Sequence, residues 1–297
     1  MKKAVLPNIP LGNDIKELEA QALDSFRNDP AIYEVITKEL ELTNKEVKLY
    51  LGALLDLQED MATCRNCPGM DKCPKRDPHY SLKLNYVEGI LTRSYEPCEK
   101  KAKLDELTSR FFVADFPSEW LDKNLTDVDR TEARKGILLA YAKILKNDDP
   151  RWIYLVSNAN MGKSFMLALM AKEYGEKHHP VGFVNTAKLI DGLKERAIND
   201  KEKFERQMRL LESCPLLVLD EFGNEFKSDY VFSSVLFPIL SVRSKAGLAT
   251  WFSSDFEIDE IVSMYSAKIG AVRAKQFKKL LQTMCKGEMV LDGVSVY

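Results

Sequence analysis

From Trp152 onward, short apolar runs alternate with segments of helical periodicity, and few folds accommodate that alternation. Trp152–Val156, Val181–Val184, Pro215–Leu219 and Leu248–Phe252 each read as a strand. Between them lie helical patterns over Phe165–Tyr174, Leu189–Ala197 and Phe232–Val242. The run Pro215–Leu219 does not alternate apolar with polar, so both of its faces are expected to be buried. Strands and helices in this order predict an α/β fold: a parallel sheet flanked by helices. At the C-terminus, Met289–Val296 carries Asp292-Gly293 between two β-prone runs and predicts a hairpin.

Two motifs sit on these elements at chemically meaningful places. A phosphate-binding loop follows a strand, points backbone N–H groups inward, and supplies a lysine for the β/γ-phosphates and a hydroxyl for Mg²⁺. Here the first strand leads into Ser157-Asn158-Ala159-Asn160-Met161-Gly162-Lys163-Ser164 and then a helix. Gly162, Lys163 and Ser164 match the pattern, whereas Ser157 stands where its first glycine belongs. Asn160 tolerates a left-handed backbone better than most residues and could serve the turn. The third strand ends in Asp220-Glu221, which places one carboxylate beside the loop hydroxyl to hold the Mg²⁺ shell. The other is then positioned to orient or deprotonate the attacking water. Either motif alone matches an ordinary strand end. Both in this order predict an ATP site.

The N-terminal third has a different texture. Ile15–Phe26 and Ala31–Leu42 have helical spacing, and Thr43 with Glu46 has the spacing of a capping box opening a further helix to about Met61. Residues 63–98 are rich in Cys, Pro, Asp and Lys, with two short strands, Ser81–Val87 and Ile90–Tyr95, turning at Glu88-Gly89. Four of the six cysteines fall here. Cys64 and Cys67 have knuckle spacing, and Cys73, Cys98 and His79 are further candidates, any four of which form a soft tetrahedral set for Zn²⁺. The expected division is a helical and Cys-rich domain over 1–105, a linker over 106–125 and a nucleotide-binding domain over 126–297.

The totals exclude some classes. A net charge of −2 predicts neither bulk nucleic-acid nor membrane attraction. No apolar run is long enough to span a bilayer, and Pro7, Asn8 and Pro10 interrupt the start before a signal-peptide core could form. The expectation is a cytoplasmic protein.

The strand, phosphate loop, Asp-Glu strand and Leu248-Ala-Thr-Trp-Phe-Ser-Ser-Asp255-Phe segment together resemble the AAA+ domain of DnaI/DnaC-type replicative helicase loaders. The Cys-rich front resembles the DnaI branch, whose front domain carries structural zinc. The resemblance implies an N-terminal domain that binds the hexameric replicative helicase, delivery of that helicase onto single-stranded DNA gated by ATP, and self-association. It also implies phosphate and metal contacts at Gly162, Lys163, Ser164, Asp220 and Glu221. It further implies a γ-phosphate sensor at position 255, and an arginine acting on the neighbouring subunit at Arg273 or Arg243. The family's sensor is usually Asn, and a second arginine usually stands where this chain has Phe277. Ser157, Asp255 and Phe277 all depart in the direction of weaker binding or turnover, so slow hydrolysis is expected. Lys275, Lys278 and Lys279 beside Phe277 form a candidate single-stranded DNA contact, with a solvated basic face as the simpler alternative. Two other readings share the architecture: a nucleotide-binding adaptor without catalysis, and a transposition-helper ATPase, against which the cysteines argue.

Overall fold

The computed structural model describes residues 13–128, 131–147 and 149–291, and the chain divides into two compact units, 1–103 and 104–297. The hairpin expected from Asp292-Gly293 lies outside the described residues, as do Pro7, Asn8 and Pro10.

In the first unit, α1 (Asn13–Asn28) and α2 (Pro30–Glu34) are followed by a π-helical turn over Val35–Glu39, then α3 (Asn44–Leu49) and α4 (Leu51–Arg65). The capping box forms as its spacing predicts. The Glu46 carboxylate accepts from Thr43 N–H at 2.7 Å, and Thr43 Oγ1 accepts from Glu46 N–H at 3.4 Å. Tyr86 also donates to Glu46, and the Thr43 and Tyr86 contacts hold its carboxyl down to about 2. Strands β1 (Tyr80–Val87) and β2 (Ile90–Pro97) pair antiparallel, and Glu88 and Gly89 both take positive φ, as a tight two-residue turn requires. Ile32, Ile36, Leu40, Leu54, Leu82 and Leu84 close the core between helices and hairpin. The apolar pattern of α2 is therefore mostly core, with Tyr33 left half exposed.

Helix α5 (Glu99–Ser109) leads into the second unit. There a six-stranded sheet has the order β3-β5-β6-β7-β4-β8, with every pairing parallel. Its strands are β3 (Phe111–Ala114), β4 (Ile153–Val156), β5 (Val181–Asn185), β6 (Leu216–Asp220), β7 (Ala249–Ser254) and β8 (Met289–Val290). Helices α6 (Glu132–Asn147), α7 (Lys163–Tyr174), α8 (Thr186–Asn199), α9 (Lys201–Ser213), α10 (Phe237–Ala246), α11 (Ile258–Ile269) and α12 (Ala271–Cys285) complete the unit. Strands β4, β6 and β7 are buried along their whole lengths, which is why their sequences run apolar without alternation.

Two expectations change here. The stretch 106–125 is not a linker. Phe111–Ala114 pairs with β5 as the sheet's edge, and a 3₁₀ turn over Ser118–Asp122 follows. Four residues are too few for the alternation that would mark them as a strand. The second correction concerns Arg243, one of the two arginines considered for a neighbouring subunit. It lies on α10 with no exposed surface. Its guanidinium donates to Leu211 O and Cys214 O at 2.8 Å each, to Thr250 Oγ1 at 2.8 Å, and to Ala249 O. It therefore fastens the end of α9 and β7 to α10, and its burial keeps it from reaching a partner. Because its removal leaves buried acceptors without a donor, Arg243→Met is expected to cost on the order of 3–5 kcal/mol. A chemical-denaturation midpoint indistinguishable from wild type would contradict that role.

Candidate functional site

The loop after β4 winds into α7 through two left-handed residues, Asn160 at φ 62° and Gly162 at φ 85°. Asn160 takes the conformation that its side-chain chemistry predicted. Ser157 keeps an ordinary negative φ, so the missing glycine at that position costs the backbone nothing. Ala159 to Ser164 line a cleft of about 220 Å³ together with Trp120, Phe165, Glu221, Ser253 and Asp255. Trp120 was not expected at this site. It belongs to the segment read as linker, and its ring packs edge-on against Phe165 at 5.3 Å.

Lys163 opens α7 and is almost fully buried. Its ammonium donates to Ser157 O and Asn158 O at 2.8 Å, lies 3.3 Å from Ser157 Oγ, and pairs with Asp255 Oδ1 at 2.7 Å. The partner comes from the end of β7, the strand next to β4.

Strand β7 also borders β6, and from that side Ser253 organises the acidic pair. Ser253 Oγ donates to Asp220 Oδ1 and accepts from Glu221 N–H at 2.9 Å. Burial pushes the Asp220 carboxyl above its usual range, against hydrogen bonds from Ser253 and Ser164 that favour the ionised form. Ser164 and Asp220, the pair expected to hold Mg²⁺, are thus already adjacent, and the donor set fits a hard cation with open positions for phosphate and water. Glu221 sits at φ 52° immediately after the strand. Its carboxylate accepts from Asn185 Nδ2 at 2.7 Å, while Asn185 Oδ1 caps α8 by accepting from Lys188 N–H at 3.1 Å. Asn185 and Ser253 were not singled out from sequence. An Asn before a helix reads only as a cap, and a Ser inside an apolar strand carries no motif. Past Glu221, Gly223 at φ 102° leaves no room for a side chain: a Cβ there would lie 2.2 Å from Ile261.

Other candidates stand apart from the cleft. Arg273 begins α12, pairs with Asp229 and is about half exposed. Phe277 is fully buried against Phe232 and Tyr265, so it cannot stack a base as the DNA-contact reading required. Lys278 pairs with Asp259 at 2.8 Å. His178 stacks on Tyr174 at the end of α7, and His179 is exposed.

The zinc expectation is not met by the geometry of the first unit. Among the described residues no three His, Cys, Asp or Glu side chains gather as a metal-holding group. The His79 ring is engaged with Met70 O at 2.8 Å, and the backbone N–H groups of His79 and Lys75 hold the Cys73 thiol below its usual pKa. The Lys75 ammonium fills the space between Asp60 (2.8 Å), Tyr80 O and Ser81 Oγ. Of the five candidates, Cys64, Cys67 and Cys98 line one pocket of the first unit.

No protein-family model matches the chain. Over 228 residues the chain is 24% identical to the replicative helicase loader DnaI of Bacillus subtilis (strain 168), covering 74% of this chain and 73% of that protein. A crystal structure of DnaI matches with a TM-score of 0.55 at 22% identity, covering 65% of this chain and 100% of that one. A putative primosome component from Streptococcus pyogenes serotype M3 matches with a TM-score of 0.54 at 22% identity, covering 67% and 100%. The chain is similar in sequence to the DnaI helicase loader and shares a fold with these solved structures.

The raised pKa of Asp220 has a consequence for stability. Protonation favours the folded state, so this carboxylate's contribution is most favourable at low pH and is lost as pH rises through its folded value. Asp220→Asn removes the buried charge and keeps an oxygen for Ser253. Without nucleotide or Mg²⁺, it is expected to raise the melting temperature at neutral pH by about 2–4 °C per kcal/mol relieved. The gap from wild type should narrow in acid. A variant that melts lower at pH 7 and equally at pH 4 would reverse the assignment.

Proposed function

We propose that this chain loads a hexameric replicative helicase onto single-stranded DNA, with ATP and Mg²⁺ bound in the cleft between β4, β6 and β7 as the gate. The observation that carries the reading is the match to DnaI. It is longer than the second unit alone, so it extends into the first and is more than a shared nucleotide-binding fold. In this reading the first unit holds the helicase and the second responds to nucleotide.

The residues assign themselves by position. Loop N–H groups from Asn158 to Gly162 and the Lys163 ammonium bind phosphate, and Ser164 and Asp220 ligate Mg²⁺. Bound Mg²⁺-ATP supplies the phosphoanhydride that can be cleaved. Glu221 orients or deprotonates the water, and Asn185 restrains its carboxylate. Self-association brings Arg273 of one copy to another's cleft; its partial exposure and a single surface ion pair leave it able to move. Arg243 has no such freedom.

A specific observation favours slow turnover, with nucleotide acting chiefly as an assembly signal. Lys163 is engaged by Asp255, so it must give up that partner before it meets phosphate.

The purified chain mixed with the replicative helicase of its host is expected to give a complex of defined mass by light scattering, and omission of ATP should change its stoichiometry. If no complex forms with or without ATP, the loader reading fails, although the nucleotide cleft would stand. Steady-state ATPase of the isolated chain should be low and should rise when helicase and single-stranded DNA are added.

A further inference from the structure

The Lys163 ammonium has three protons and four oxygen neighbours, and three of these come from its own loop: Ser157 O, Ser157 Oγ and Asn158 O. The fourth, Asp255 Oδ1 at 2.7 Å, is the only one that carries charge. The pair is asymmetric in exposure: the lysine side chain is 8% exposed and the aspartate 35%. A partly buried ion pair is screened less than a surface one, so it competes effectively with an incoming anion.

The backbone around Asp255 is fixed from both sides. Ser253 is tied to Asp220 and to Glu221 N–H. Ser254 Oγ donates to Phe222 O at 2.6 Å and accepts from Phe256 N–H at 3.0 Å. Residue 255 is thereby held at the mouth of the cleft, and only its side chain is left to swing toward solvent. The described lining of the cleft carries two carboxylates, Glu221 and Asp255, beside Lys163, and a third, Asp220, lies buried against Ser253. A polyphosphate entering alone meets that negative field with its one cation already neutralised.

We infer that Asp255 is an internal anion competing with nucleotide phosphate for Lys163, so that binding is an exchange of one anion for another and depends strongly on Mg²⁺. The inference rests on the nucleotide-binding reading of this cleft. It makes Asp255 the residue that sets the affinity threshold of the site. An amide at the same position can still reach Lys163 with its oxygen but brings no charge to the contest.

Calorimetric titration of the full chain with ATP and with ADP, each with and without Mg²⁺, tests this on wild type, Asp255→Asn, Asp255→Ala and Lys163→Ala, with thermal melts confirming that each is folded. Both Asp255 variants are expected to bind Mg²⁺-ATP about fivefold tighter or more than wild type, the worth of about 1 kcal/mol. Without Mg²⁺ they should retain binding that wild type loses. Lys163→Ala should lose binding in every condition. If Lys163→Ala loses binding but both Asp255 variants bind no tighter than wild type, the cleft is a nucleotide site and the competition is refuted. A drop in Mg²⁺-dependent affinity in both variants also refutes it, because Asp255 would then be serving the metal. Absence of binding in wild type and both Asp255 variants removes the nucleotide reading and the inference together.

Discussion

Strand β7 lies between β4 and β6, and the chemistry of the second unit depends on that insertion. The phosphate loop leaves β4 and the acidic pair leaves β6, so the two motifs are not on neighbouring strands. What joins them is the end of β7, where Ser253 reaches Asp220 and Glu221 on one side and Asp255 reaches Lys163 on the other. The all-parallel arrangement places these strand ends on one edge, where open α/β sheets form their ligand clefts.

Burial around that edge makes every polar partner count. A buried charge without a counterpart is costly, and here each charged group has found one: Lys163 the loop carbonyls and Asp255, Asp220 the hydroxyls of Ser253 and Ser164, Arg243 four acceptors. These solutions are not equivalent. Arg243 is locked by acceptors from the end of α9 and from β7 and serves the fold. Lys163 is held in part by a side chain that can leave, so its environment is stable without ligand and still exchangeable. Behind Glu221, the Gly223 turn is pinned by Glu225, which accepts from Gly223 N–H and from Tyr265 OH at 2.7 Å each. Helix α11 is therefore fastened to the loop that carries the acidic pair.

Much of this was legible in order along the chain. Unbroken apolar runs marked β4, β5, β6 and β7 because strands buried on both faces need no alternation. Gly162-Lys163-Ser164 and Asp220-Glu221 stood out at two strand ends, and residues of both motifs line the cleft. Thr43 and Glu46, and Glu88 with Gly89, encode their cap and turn through neighbours in sequence, and such local chemistry survives without tertiary context. The short edge strand Phe111–Ala114 and the cleft-lining Trp120 carried no such mark.

The sequence by itself determined which segments could be strands and which strand ends carry Gly162-Lys163-Ser164 and Asp220-Glu221. Only the tertiary structure decided which of two arginines was exposed, that Phe277 belonged to the core, that Trp120 lined the cleft, and that Asp255 faced Lys163. The physical reason is common to all four. Each turns on the direction of a side chain and on what a distant strand or helix places against it, and residue spacing specifies neither.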